Sequence, residues 1–196
     1  MIITSKSTST ALKKLRNKNI QYVTPTNLKP NNDFYKEHKE LKTLFQYVLR
    51  TGGRPLWENA PLMGQYLLNK LATFNVKFVV LTAPPSGEYQ PAYTGKQNWV
   101  EANLRPVLRD KLVGFICTKE KNLFSAENSL LIDDREKNTK NFSNSILVTS
   151  ELDVSSIELP EEIEIVYLDL DGCFANLHQE VAPRINKILE RANLNV

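Results

Sequence analysis

The chain has 196 residues, 41% of them hydrophobic and 24% charged, with a formal net charge of +3. Those proportions exclude a disordered or fibrous chain and suit one soluble domain with a full core, extended at most by a small cap. The mild positive balance suits an anionic substrate but does not by itself argue for nucleic acid.

No apolar run approaches the roughly 20 residues of a membrane span, and the opening MIITSKSTST lacks the apolar segment of a signal peptide. A soluble, cytoplasmic protein without membrane contact is the expectation. Cys117 and Cys173 are too few for a disulfide framework, and each reads as a buried packing thiol.

In chain order, Met1 to Ser9 reads as a flexible start, followed by a short basic helix, ALKKLRNKN, capped by Thr10. Its Lys13, Lys14, Arg16 and Lys18 read as a solvated face. Tyr22 to Asn32, with two prolines, is a loop. Asp33 then caps one long helix, FYKEHKELKTLFQYVLRT, whose apolar residues recur at helical spacing until Gly52-Gly53 ends it. His38 has no second ligand at metal spacing nearby. GGRPLWENAP reads as a loop, with Trp57 a plug more readily than a ring contact for a ligand.

Asn59 and Pro61 open a helix with Leu62, Tyr66, Leu67 and Leu71 on one stripe. From there strands and helices alternate. The sequence predicts strands at Val76–Leu81, Val113–Cys117, Leu130–Ile132, Ile146–Val148 and Ile163–Leu168. A helix is expected from about Lys96 to Leu108, with Trp99 in the core, and a final helix carries Val181, Ile185, Ile188 and Leu189 over the sheet. This alternation implies an α/β fold with a doubly wound parallel sheet of five strands. Residues 58–196 form that core, and residues 1–57 form a small helical cap.

The chemistry gathers at strand ends. Asp169 and Asp171 follow the apolar run IVYL, and the chain turns at Gly172. Two carboxylates one residue apart can bind a hard cation and set a nucleophile beside a proton donor. Thr82 ends a second strand within LTAPPS, and Asp133-Asp134 end a third within LLIDDREK. TKEK offers Lys119 or Lys121 as a lone cation.

IVYLDLDG, LTAPPS, GKQNWVE, TKEK and LLIDDR together resemble the motifs of the haloacid dehalogenase (HAD) superfamily of phosphohydrolases, most closely its 5′(3′)-deoxyribonucleotidases. These motifs span over half of the chain. In the superfamily the DxD motif comes first, whereas here it comes last, so the resemblance implies a circularly permuted, HAD-like (Rossmann-like) member. Ala83 stands where the family commonly has a hydroxyl residue. Residues 1–57 match nothing in the family.

The resemblance implies a Mg²⁺-dependent phosphomonoesterase working through an aspartyl-phosphate. In it Asp169 is the nucleophile and Asp171 the acid and base. Thr82 and Lys121, with Lys119 its rival, hold the phosphoryl group. Ala83, Lys96, Arg135 and Gly172 contact the substrate, and Asp133, Asp134, Asp169 and Asp171 surround the metal. The implied partner is a small phosphorylated substrate, a deoxyribonucleoside monophosphate, for a monomer or homodimer.

Two alternatives stand beside it. One is a phosphatase for nucleic-acid ends, drawing on Lys13 to Lys18 and on Tyr89 and Tyr93 as loop aromatics. The other is a phosphate-binding protein without turnover. In the superfamily's sheet the DxD strand is central, flanked by the strands of the LTAPPS-like and LLIDDR-like motifs, so the resemblance also implies the spatial order of strands. Ile163–Leu168 lies in the centre, between Leu130–Ile132 and Val76–Leu81, with Ile146–Val148 and Val113–Cys117 at the edges. Val196 then lies on the side of the N-terminal helices.

Overall fold

The β-branched and aromatic run ahead of the aspartates forms the middle of a sheet, as expected for a strand buried between parallel neighbours. The computed structural model describes residues 6–29, 32–85, 89–149 and 151–194. Its elements are α1 (Lys6–Asn17), α2 (Asp33–Glu37), α3 (Glu40–Thr51), α4 (Gly53–Glu58), α5 (Gln65–Ala72), β1 (Lys77–Thr82), α6 (Tyr89–Asn103), α7 (Arg105–Leu108), β2 (Leu112–Cys117), β3 (Ser129–Asp133), α8 (Glu136–Thr139), β4 (Ser145–Leu147), β5 (Ile165–Leu168) and α9 (Leu177–Leu194).

The five strands are all parallel, in the order β2-β1-β5-β3-β4. This is the order expected from the motifs. Strand β5, last in sequence, pairs Val166 with Phe78 on one side and Leu130 on the other, and Leu168 with Val80 and Ile132. The connection that returns to it is packed rather than slack. Ile157 is buried, and Leu152, Val154 and Leu159 lie against the core.

One sheet face, carrying Phe78, Val80, Leu130, Ile132, Val166 and Leu168, packs with α5 residues Leu67, Leu68 and Leu71 and with Trp99, Val100, Leu104 and Leu108. The other face is covered more thinly, with Leu81 and Leu131 against Phe142, Phe124 and Tyr167.

The final helix departs from expectation. Val181, Ile185 and Leu189 do not cover the sheet but join Leu15, Leu28, Leu41, Leu44, Val48 and Leu56 in a separate cluster. The stripe on α9 is therefore matched by apolar stripes on α1 and α3, and the three pack as helix on helix. That brings the last helix among the N-terminal helices. Val196 itself lies outside the described residues.

Other local expectations are corrected as well. Helix α1 begins at Lys6, so Thr10 is internal and its hydroxyl donates back to the Lys6 carbonyl at 3.0 Å. The expected long helix breaks at His38, and Asn32, not Asp33, caps α2 by accepting from Phe34 N. GRPLWE is helical, because Gly53 turns the chain at φ +62° and Pro55 sits in a first turn, where its missing N–H costs nothing. Helix α5 starts only after Gly64, at φ +66°, because residues 61–63 pair with residues 174–176 instead, and Tyr66 is exposed. Helix α6 begins at Tyr89, so Tyr89 and Tyr93 are helical.

If α9 belongs to the helical cluster, Ile185→Ala should cost about 2–5 kcal/mol in urea unfolding. Hydrogen exchange should then show α3 losing protection before β1 and β5 do. Equal loss in the sheet would contradict this packing.

Candidate functional site

At the carboxyl ends of β1, β3 and β5 the chain leaves the sheet, which is where open α/β sheets bind ligands. Asp169 follows β5 and is buried, its amide donating to the Ile132 carbonyl at 2.8 Å. Asp133 ends β3 and is fully buried, and Thr82 ends β1, also fully buried.

Two ammonium groups organise these acids. Lys121, in the first position of a short 3₁₀ turn, donates to Asp133 Oδ2 and Asp169 Oδ1, both at 2.6 Å. Burial alone would lower its pKa, but Asp169 and Asp133 outweigh burial and hold it above the ordinary value. Lys119 is exposed. Of the two candidate cations, Lys121 is the one brought to the acids.

Lys96, from α6, donates to Thr82 Oγ1 at 2.9 Å, Ala83 O at 2.7 Å and Asp171 Oδ2 at 2.6 Å. That uses all three of its protons. The face of Trp57 covers it, 4.9 Å from the ring centroid. Helix α4 can approach this closely because residue 95 is glycine. A Cβ there would stand 2.7 Å from the Arg54 carbonyl and from Trp57 Cβ.

The four acids are not equivalent. Asp133 Oδ1 accepts from Arg135 N at 2.8 Å and from Asn138 at 3.0 Å, and Oδ2 accepts from Asn138 at 2.8 Å as well as from Lys121. Its carboxylate is saturated by protein donors. The Asp171 carboxylate turns to Lys96.

Asp134 Oδ1, by contrast, is buried without a hydrogen-bond partner, with Arg135 Nε 3.9 Å away. Oxygens of Asp134 and Asp169 and the Cys173 sulfur lie within 4.8 Å of one another. Burial, then Asp169, pushes the Cys173 thiol well above its usual value, so it offers a neutral sulfur. The oxygens available to a hard cation are those of Asp134 and Asp169.

Gly172 has a structural reason to be glycine. Its φ is +93°, and the Asp134 carboxylate fills the space a side chain would need. Arg135 is largely exposed beside the acids. Ala83 contributes its carbonyl to Lys96 rather than a free amide to the site. Sequence reasoning missed Asn138, which fixes both oxygens of Asp133 and lies five residues after it on α8. It also missed the face of Trp57 over Lys96.

Comparison with protein-family models, curated proteins and solved structures returned no significant match. Among the described residues, no helix is long and apolar enough to cross a membrane.

Burial raises the Asp134 carboxyl from 3.8 to about 6, with Arg135 opposing. Burial likewise raises Asp169, with Lys121 opposing. A raised carboxyl binds its proton more tightly when folded, so its stabilisation is present below the ordinary value and lost as pH rises through about 6. In chelator, unfolding free energy should therefore fall between pH 4 and 7. Asp134→Asn should remove on the order of 2 kcal/mol of that fall, allowing for partial exposure of the carboxylate. An unchanged pH profile in urea denaturation would contradict the burial of this group.

Proposed function

We propose that the chain hydrolyses phosphomonoesters by way of a covalent phosphate on Asp169, as the resemblance to a permuted HAD-type deoxyribonucleotidase implies. The observation that carries the reading is the buried Lys121 ammonium, held 2.6 Å from both Asp133 and Asp169 at the end of the central strand. It fixes one carboxylate for in-line attack and keeps a positive charge where the transferring phosphoryl group gathers negative charge.

In this reading an Asp169 oxygen attacks phosphorus as the ester P–O bond breaks. Asp171 gives the leaving oxygen its proton, then takes one from the water that attacks the aspartyl-phosphate. Inorganic phosphate leaves and both carboxyl groups return to their starting state. Thr82 holds a phosphoryl oxygen through its hydroxyl, Lys96 lends its positive charge while it holds Thr82 and Asp171, and Arg135 reaches the substrate beyond them.

The donor set supports a divalent ion. Four carboxyl groups face two buried ammoniums, and one Asp134 oxygen has no hydrogen-bond partner. Asp134 and Asp169 would hold Mg²⁺, which when bound neutralises phosphate charge and polarises the phosphoryl group. Asp133, saturated by Asn138 and Lys121, would position them instead.

One observation favours the second reading, a phosphatase for nucleic-acid ends. Lys6, Lys14 and Lys39 line an open groove of about 520 Å³ between α1 and α3. The substrate comparison separates the two, with thymidine monophosphate and a 3′-phosphorylated oligonucleotide assayed with Mg²⁺ and with chelator. Activity on the nucleotide, lost in chelator, is the expected result.

Asp169→Asn should abolish turnover in a folded protein. Asp171→Asn should lose about 10²–10⁴-fold on an alkyl phosphate and recover partly on nitrophenyl phosphate, whose leaving oxygen needs little protonation. Full activity of Asp169→Asn, or the same loss at Asp171 with either leaving group, would sink the mechanism.

A further inference from the structure

Tyr89, Tyr93 and Lys96 recur at i, i+4 and i+7 on α6 and so share one face of that helix. Lys96 ends this row at Thr82 and Asp171, in the candidate phosphate site. A rise of about 1.5 Å per residue puts Tyr93 roughly 4.5 Å and Tyr89 roughly 10 Å from Lys96 along the axis. The row therefore leads away from the phosphate end by about the reach of a sugar.

Neither ring is spent on the core. Tyr93 is half-buried and braced edge-on by Phe115 of β2, centroids 5.2 Å apart at 84°. Tyr89 is 45% exposed and lies 5.6 Å from Tyr93 at 33°. Its side chain interacts with that of Cys117. Cys117 ends β2 directly opposite Thr82 in the sheet register, so Tyr89 lies near the strand end that carries the phosphate ligand. One ring is braced and the other, stacked beside it, has much of its surface open to solvent, an arrangement that suits stacking of a third ring.

We propose that Tyr89 and Tyr93 form a stacking seat for a flat aromatic ring carried by the phosphorylated substrate, such as the base of a nucleoside monophosphate. The seat adjoins the phosphate contacts of Thr82 and Lys96, and it rests on the phosphomonoesterase reading given above. Ring stacking accepts any flat π-face, so the seat favours aromatic phosphomonoesters over aliphatic ones without choosing among bases. The Cys117 thiol lies at its rim. A ring seated there shields this thiol, which makes it a reporter of occupancy that does not depend on turnover.

The test compares thymidine monophosphate with glycerol phosphate on the full chain. Tyr89→Ala should raise the KM for thymidine monophosphate about tenfold relative to that for glycerol phosphate, and Tyr89→Phe, which keeps the ring, should restore the ratio. Parallel changes for the two substrates, or none, would overturn the seat. In chelator, iodoacetamide labelling of wild-type Cys117, located by peptide mass mapping, should slow with thymidine monophosphate and not with glycerol phosphate. Equal labelling in both would also overturn it. Shielding by the nucleotide without hydrolysis of either compound would leave the seat standing and remove the phosphatase reading. Hydrolysis without shielding would do the reverse.

Discussion

Lys121 is the constraint on which the rest of the site depends. Its ammonium is 5% exposed and carries two carboxylates at 2.6 Å, one fully buried and the other nearly so. Removing either partner would strand a buried charge, at a cost of about 3–5 kcal/mol. The interaction is therefore weak evidence of stability for its own sake. What it supplies is position: the end of β5, the end of β3 and the turn after β2 are fixed relative to one another by a single group. Asn138 and the Arg135 amide complete the arrangement by holding Asp133 from the other side.

A second buried ammonium ties this centre to the rest of the molecule. Lys96 joins Thr82, Ala83 and Asp171 on the sheet side, and Trp57 of α4 closes over it. The strap at residues 61–63 runs alongside residues 174–176, with Met63 N donating to Phe174 O at 2.7 Å and Asn176 N to Pro61 O at 2.9 Å. The backbone after the two aspartates is thus stitched to the segment that leads out of the N-terminal helices. Those helices and α9 share one apolar cluster, which also includes Trp57.

Much of the sheet was legible because its strands are short apolar runs ending at breakers or polar turns. The position of β5 in the middle was implied by the resemblance, since the DxD strand is central in the superfamily's sheet. The N-terminal boundaries were not legible. Apolar spacing runs straight through His38, where the helix breaks, and Gly53 reads equally as a stop and as the start of α4. The apolar stripe on α9 was read correctly, but a stripe does not name its partner, and α1 and α3 offered a matching one. Within the site, Lys119 and Lys121 are indistinguishable by composition and separate only because the 3₁₀ turn begins at Lys121. Asp133 and Asp134 are adjacent and identical in type. Only the fold gives one of them all the local donors and leaves the other with a bare oxygen.

The central claim is that the carboxylate held by Lys121 becomes the phosphate carrier. Acid quenching during turnover of a phosphomonoester with Mg²⁺, followed by peptide mass mapping, tests it most directly. The account predicts an acyl phosphate on Asp169 that disappears on treatment with hydroxylamine. Steady turnover with Asp169 unmodified, or a phosphate carried on another residue, would contradict it.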